Sequence, residues 1–405
     1  MSGASSVRAV LAIPDFLRLM VAQLLSEMGD WAARLALSVL VWQGTGQASI
    51  TALVVSISFL PALGPGQWLT SQSNRLPART VLVLTDLARA ALFLLLAQFP
   101  STPLAMAVSF LTGLLAVPFN AQRAGILPEI TGHERLVAGV KVSQILQDSA
   151  VIVGYLSGGA LIALFHVRGA LLFNALTFTV SAMVLAALAC PAARRATPAE
   201  DRVNLRGGLQ ALRDRPLVWA AAGLSVVAFA AGFSIESVVV PLSATYSPEP
   251  WLPTALFVGM AVVSLVATMA IPSTLDGPAL LWASWLLVVV PGSVMLVAFV
   301  VAEGSGDSPW GAVLGVVAAG LLFAAPVPAN ALAAGLLPTV SRAAAFSLVA
   351  GVIAAGQALG TAVTGRLFDL MSFAGLAVVA VVTLCLALLI GAWARSAARA
   401  EAELT

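Results

Sequence analysis

Charge is what this sequence has least of. Asp, Glu, Lys and Arg make up 9% of its 405 residues, against roughly a quarter in a soluble domain. Lys141 is the sole lysine beside nineteen arginines, and there are two tyrosines, two histidines and two cysteines. Cys190 and Cys385 lie in or at the end of apolar runs and read as small buried residues, which excludes a disulfide framework. His133 and His166 are isolated in predicted loops, so neither a metal site nor any other cofactor is expected. Gly-x4-Gly-Lys-[Ser/Thr] and His-Glu-x-x-His are missing and no catalytic triad can be named, which excludes a nucleotide-driven pump and argues against an enzyme. The formal charge of +2 gives no footing for nucleic acid.

Apolar residues fill the space. They are 60% of the chain, and the mean hydropathy is +1.00. Long apolar runs recur from end to end, and each needs a nonaqueous solvent. A bilayer core of about 30 Å takes about 20 helical residues per crossing. Polar breaks leave twelve predicted spans at 16–42, 49–69, 80–98, 102–119, 138–165, 169–190, 217–244, 254–272, 279–301, 310–331, 343–367 and 373–393. The fold class expected is an all-α membrane protein of two pseudo-symmetric six-helix bundles, with both termini cytoplasmic.

The longest polar stretch, Pro191–Pro216, carries Arg194, Arg195, Arg202, Arg206, Arg213 and Arg215 near the middle of the chain. It divides a bundle at 1–190 from one at 217–394, and a cytoplasmic tail follows at 395–405. With the N-terminus inside, sixteen of the twenty basic residues fall in cytoplasmic segments, as the positive-inside rule requires. Trp42, Trp68, Trp219, Trp251, Trp310 and Trp393 fall at span ends, an interfacial belt. Arg8 and Arg18 precede the first run without a small-residue cleavage site, so a first span is expected rather than a signal peptide. The excess of Arg over Lys suits a GC-rich bacterial source, and hence a bacterial inner (plasma) membrane.

The halves share sequence. Val117–Pro128 and Val327–Pro338 are identical at eight of twelve positions, at an offset of 210 residues. Gly154-x4-Gly159 in span five answers Gly360-x4-Gly365 in span eleven. Parallel repeats related by an axis along the membrane normal imply a substrate path between them.

Several short motifs follow one another in order: Ser26-Glu-Met-Gly-Asp30, Thr45-Gly-Gln-Ala-Ser49, Asn74-Arg75 with Arg79, Asp86-x-x-Arg89-Ala, Leu127-Pro-Glu129 and Gly154-Tyr-Leu-Ser-Gly-Gly159. In this order the chain resembles the major facilitator superfamily, and within it the twelve-span efflux branch of the macrolide exporters and the enterobactin exporter. The resemblance covers nearly the whole chain. It implies alternating access, with Asn74, Arg75, Arg79, Asp86, Arg89, Gly154, Gly158 and Gly159 as conformational-switch positions. It also implies that spans five and eleven, with Gly154-x3-Gly158 and Gly356-x3-Gly360, form sliding contacts with the opposite half. The chain departs from the family at three places. Asn74 stands where the loop signature has Asp, Tyr155 stands where the antiporter signature has Pro, and span four lacks the intramembrane Arg of many proton-coupled exporters. The nearest, Arg123, lies past Pro118 at the expected cytoplasmic edge.

A charge at mid-membrane costs about 2.5–3.5 kcal/mol on the insertion scale, so each is a functional candidate. Gln23, Glu27, Asp30 and Arg34 share one face of span one, and Asp30 and Arg34 are spaced to pair. Glu27, with no cation assigned to it, is the better proton carrier. Lys141, Gln144 and Asp148 repeat the pattern in span five, and Glu236 is the buried acid of the second half. Glu27, Asp30, Asp148 and Glu236 are the proton-coupling candidates. The substrate-cavity candidates are Gln23, Trp31, Arg34, Gln144, Tyr155, Phe233, Gln357 and Thr361, with Thr364 on the same face as the last two. Asp86 and Arg89, at i, i+3, suit a structural pair, as do Arg366 and Asp369 in an outer loop.

The expected function is secondary active transport: proton-coupled efflux of a drug-like or natural-product small molecule by alternating access, performed by a monomer. The partners are the substrate, the proton gradient and the lipid bilayer. Four acids facing few cations favour a cationic or neutral amphipathic substrate. Two alternatives stand beside it, a dedicated siderophore or metabolite transporter and a transport-inactive membrane receptor or assembly protein.

Overall fold

The computed structural model describes residues 8–132, 134–189, 205–247, 249, 251–272, 274–305, 308–337 and 339–403. Cys190, His133, Arg194, Arg195 and Arg202 lie outside the described residues, as do the side chains of Arg206 and Arg399. Every regular element among the described residues is helical. In chain order they are α1 (Pro14–Thr45), α2 (Ala48–Ser56), α3 (Pro65–Ser73), α4 (Ala78–Gln98), α5 (Thr102–Thr131), α6 (Leu136–Ala186) and α7 (Leu205–Arg213). There follow α8 (Pro216–Ser237), α9 (Val239–Ala244), α10 (Trp251–Ala270), α11 (Gly277–Ser305), α12 (Trp310–Ala319), α13 (Pro326–Leu336) and α14 (Thr339–Glu403).

Proline and glycine explain where these helices break. Gly46 ends α1 in the left-handed region (φ 63°), its N–H bonded to the Trp42 carbonyl at 2.8 Å, as a C-terminal glycine does. The predicted span at 49–69 is not one helix. Pro61 and Pro65 offer no N–H, and the chain passes from α2 through a 3-10 turn, Leu60–Leu63, into α3. The span at 310–331 divides in the same way, into α12, a 3-10 turn at Gly320–Ala324 and α13, with Pro326 and Pro328 at the junction. Pro118 and Pro128, by contrast, lie inside α5, which runs unbroken to Thr131.

Two helices are too long for one crossing. α6 has 51 residues and α14 has 65, and each contains one residue with non-helical backbone: His166 (φ 59°) and Ser372 (φ 49°). Positive φ is uncommon outside glycine, and here it marks a kink between two helical segments. The breaks lie 206 residues apart. Gly159 and Gly365 have that same spacing, so the repeat extends into backbone conformation.

Eight described helical segments, counting Trp310–Leu336 across its 3-10 turn as one, are long and apolar enough to cross a membrane. α1, at 32 residues, is long enough but too polar to count among them. Leu164, Met269, Leu359 and Trp310 are each more than two-thirds exposed, a surface that only an apolar solvent tolerates.

Two units can be distinguished by contact. The first is Met1–Gly46, Ile57–Thr197 and Glu249–Val258, and the second is Gln47–Ser56, Pro198–Pro248 and Gly259–Thr405. In the first, α1 packs along α6, and Phe16, Leu19, Met20, Leu82, Phe119, Ile126, Leu185 and Leu188 form a buried core. In the second, α14 packs along α8, and Leu212 of α7 joins Val218, Ala333, Leu337 and Ala345.

Glycine permits the close approaches. A Cβ on Gly154 would fall 2.6 Å from Trp31 Cβ, and one on Gly158 would fall 2.9 Å from Ala32 Cα, so both glycines hold α6 against α1 inside the first unit. Their structural role is this packing. Gly159 meets Thr254, and in the second unit Gly365 meets Ala52 at the equivalent place.

Candidate functional site

The polar face of α1 is realised as the spacing predicts, and other helices supply its partners. Gln23 Nε2 donates to Glu27 Oε1 at 3.0 Å, and Ser143 Oγ of α6 donates to Gln23 Oε1 at 2.8 Å. Arg123 Nη1 of α5 donates to the same Glu27 oxygen at 2.6 Å. Glu27 is therefore not the unpaired acid expected of it. α5 continues helically past Pro118 and brings Arg123 to α1. Glu27 Oε2 is buried and has no hydrogen-bond partner.

One turn further along α1, Asp30 meets Arg89 of α4 at 3.8 Å. Arg89 also lies 3.8 Å from Asp86. Asp86 is fully buried, and Ser181 Oγ of α6 donates to its Oδ2 at 2.6 Å. The Asp86–Arg89 pair is thus part of a triad with Asp30 rather than an isolated structural contact. Arg34 lies with its guanidinium carbon 4.6 Å from the Trp31 ring and 5.7 Å from that of Phe59. Trp31 in turn is 5.5 Å from Tyr155, which is buried and stacks on Phe257 at 4.4 Å.

The remaining candidates of the first unit are dispersed. Gln144 Nε2 donates to Asp148 Oδ1 at 3.0 Å on an exposed part of α6. Asn74 Oδ1 accepts from Gln122 Nε2 at 2.9 Å. Arg75 is exposed, and Arg79 Nη1 donates to the Leu188 carbonyl at 3.1 Å, tying the start of α4 to the chain beyond α6.

In the second unit, Glu236 is buried at the C-terminal end of α8. Gln357, Thr361 and Thr364 are buried on α14. The Thr361 hydroxyl donates to the Gln357 carbonyl at 2.7 Å, so its proton is held by its own helix. Phe233 is buried in an aromatic cluster with Phe229 and, edge-on at 5.1 Å, Phe323. Asp369 does not serve as a loop acid: its two oxygens accept from the backbone N–H groups of Ala48 and Ser49 at 2.7 and 2.9 Å, capping α2.

Sequence reasoning passed over Ser143 and Ser181, because a hydroxyl in an apolar helix carries no periodic signal. It set Arg123 at the membrane edge on the strength of Pro118. Among the described residues no cluster of three or more His, Cys, Asp or Glu could hold a metal ion. What the first unit presents is a set of acids and arginines whose charge can be neutralised or exchanged without covalent chemistry.

The Major Facilitator Superfamily sequence profile matches residues 19–329. An uncharacterized MFS-type transporter of Bacillus subtilis (strain 168), YfiS, is 26% identical over 206 residues, 49% of each chain. The match thus spans about half the length of that curated relative. The nucleoside transporter NupG superposes with a TM-score of 0.74 at 14% identity, over 94% of this chain and 98% of its own. A bacterial homolog of the human lysosomal transporter Spinster, inward-facing and unoccupied, gives 0.72 at 14% identity over 95% and 96%. At such identities these likenesses bear on the fold. The chain belongs to the major facilitator superfamily, and is a multi-pass membrane transporter rather than an enzyme.

Proposed function

We propose that this protein is a proton-coupled secondary exporter of a cationic or neutral amphipathic small molecule, working by alternating access in a bacterial inner membrane. In this reading the spans number twelve. The eight apolar helices include two that are each long enough for two crossings, broken at His166 and Ser372. α1 adds one more, and α2 with α3 another. Both termini are then cytoplasmic, residues 1–190 and 217–394 form two six-helix bundles joined by the 191–216 linker, and the working form is a monomer of the efflux branch.

One observation carries the proton-coupling part. Glu27 lies on α1 with one carboxylate oxygen held by Arg123 and Gln23 and the other buried without a hydrogen-bond partner. A buried charge that is not fully hydrogen-bonded is costly, and a proton on that oxygen would relieve part of the cost by removing the charge. A pair that binds and releases one proton as its surroundings change is what coupling to a gradient requires. Asp148 and Glu236 remain secondary candidates: the first accepts from the neutral amide of Gln144, and the second is a buried acid at the end of α8.

The test uses inverted membrane vesicles with ethidium as the probe. E27Q should abolish pH-driven ethidium movement, with smaller losses in D148N and E236Q. Full activity in all three variants would overturn the proton-carrier assignment.

A further inference from the structure

Arg89 reaches the interior of the first unit with a guanidinium that is closed on neither of its neighbouring acids. Nη1 lies 3.8 Å from Asp30 Oδ2 and 3.8 Å from Asp86 Oδ1, whereas a charge-assisted N–H···O bond closes to about 2.7–2.9 Å. Nε has no hydrogen-bond partner, and neither does Asp86 Oδ1. The guanidinium carbon is 5.2 Å from the Phe119 ring and 5.3 Å from the Phe178 ring. Ring faces attract a cation without fixing it to one atom, so they hold the group in place and leave it free to shift.

The two acids differ in what can reach them. Asp86 has a side chain with no exposure, and its second oxygen is anchored by Ser181. Asp30 has a side chain 42% exposed. Asp30 is therefore the more accessible of the two to an incoming positive charge. A cation shared between two anions moves onto the one that keeps its charge.

We propose that Arg89 is a two-position switch, which leaves Asp30 and closes on Asp86 when a proton or the cationic group of a substrate neutralises Asp30. The identity of the neutralising charge rests on the exporter reading above; the two-position geometry does not. Ser181 relays the movement, since its hydroxyl lies 2.6 Å from Asp86 Oδ2 and 3.2 Å from the Ala22 carbonyl of α1. The charged groups around Asp30 are Glu27 and Arg34 on α1, Asp86 and Arg89 on α4, and Arg123 on α5 through Glu27. α6 brings the neutral Ser181 to Asp86, and Asn174 and Thr177 to Gly29 beside Asp30. Arg89 is thus a positioning residue, acting through the two acids on either side of it.

The experiment is structure determination of the full chain in lipid nanodiscs, as wild type, D30N and D86N, with ethidium efflux against pH measured in parallel. Arg89 should close to about 3 Å from Asp86 in D30N and from Asp30 in D86N. D86N should lose at least about tenfold in pH-driven rate, and R89K, a point charge on a thinner stem, should flatten the pH profile while the protein still folds. Arg89 unmoved in D30N would overturn the switch, as would a D86N pH profile identical to wild type. Should D30N fail to fold, the wild type at acid pH answers the same question, with Arg89 closed on Asp86 supporting the switch and Arg89 unmoved contradicting it. Absence of ethidium movement in the wild type would count against the exporter reading, and the position of Arg89 would still decide the switch.

Discussion

Arg123 and Glu27, 96 residues apart in the chain, are joined at 2.6 Å between α5 and α1. Their side chains are 17% and 15% exposed, so the pair is mostly removed from solvent, and its two members are not equally dispensable. R123A leaves a buried carboxylate without its cation, and breaking a buried pair in this way costs about 3 kcal/mol or more. E27Q keeps the size and an acceptor oxygen and leaves the more flexible cation behind. Thermal unfolding in detergent should therefore show a larger loss for R123A than for E27Q, and E27Q/R123Q should recover part of the R123A loss. Equal losses from both single variants would contradict the asymmetry.

Glycine at 158 is required by distance. An added Cβ would lie 2.9 Å from Ala32 Cα and 3.1 Å from the Ala32 carbonyl oxygen, which are backbone atoms with nowhere to retreat. G158A should cost about 1–3 kcal/mol through overpacking. Gly125, on α5, has nothing within 4 Å of such a Cβ, and G125A should be neutral or raise stability by up to about 1 kcal/mol through helix propensity. Melting temperatures of the two variants, compared side by side, check both the sign and the contrast.

Asp369 holds the first turn of α2 by two backbone bonds, an anion at a helix N-terminus. D369A should weaken that turn by about 1–2 kcal/mol and D369N by less, since the amide keeps one acceptor. Hydrogen exchange should quicken at Ala48–Ser56 in D369A, in the order alanine, asparagine, wild type. Unchanged exchange there would show that the cap contributes nothing.

Much of this was legible in the sequence, and the rest was hidden for physical reasons. The face of α1 carrying Gln23, Glu27, Asp30 and Arg34 follows from helical spacing, and the apolar helices follow from hydropathy. Partners across helices do not, because Arg123, Arg89 and Ser181 meet α1 through packing that no local period records. Proline ends helices in water, but a membrane-spanning helix tolerates it where neighbours satisfy the freed carbonyl, so α5 continues past Pro118 and brings Arg123 to Glu27. The breaks at His166 and Ser372 were equally silent, since neither residue advertises positive φ. Asp369 was read as a loop acid because its two acceptor bonds join positions more than three hundred residues apart.

Proton-coupled export requires that substrate and proton move in exchange through one carrier. Purified protein in liposomes, loaded with ethidium and a trapped pH indicator and given no imposed pH gradient, tests it directly. Outward ethidium flow should drive protons inward and acidify the lumen in the wild type, and E27Q should abolish that acidification. Ethidium flux with no change in lumenal pH, or acidification unchanged in E27Q, would contradict it.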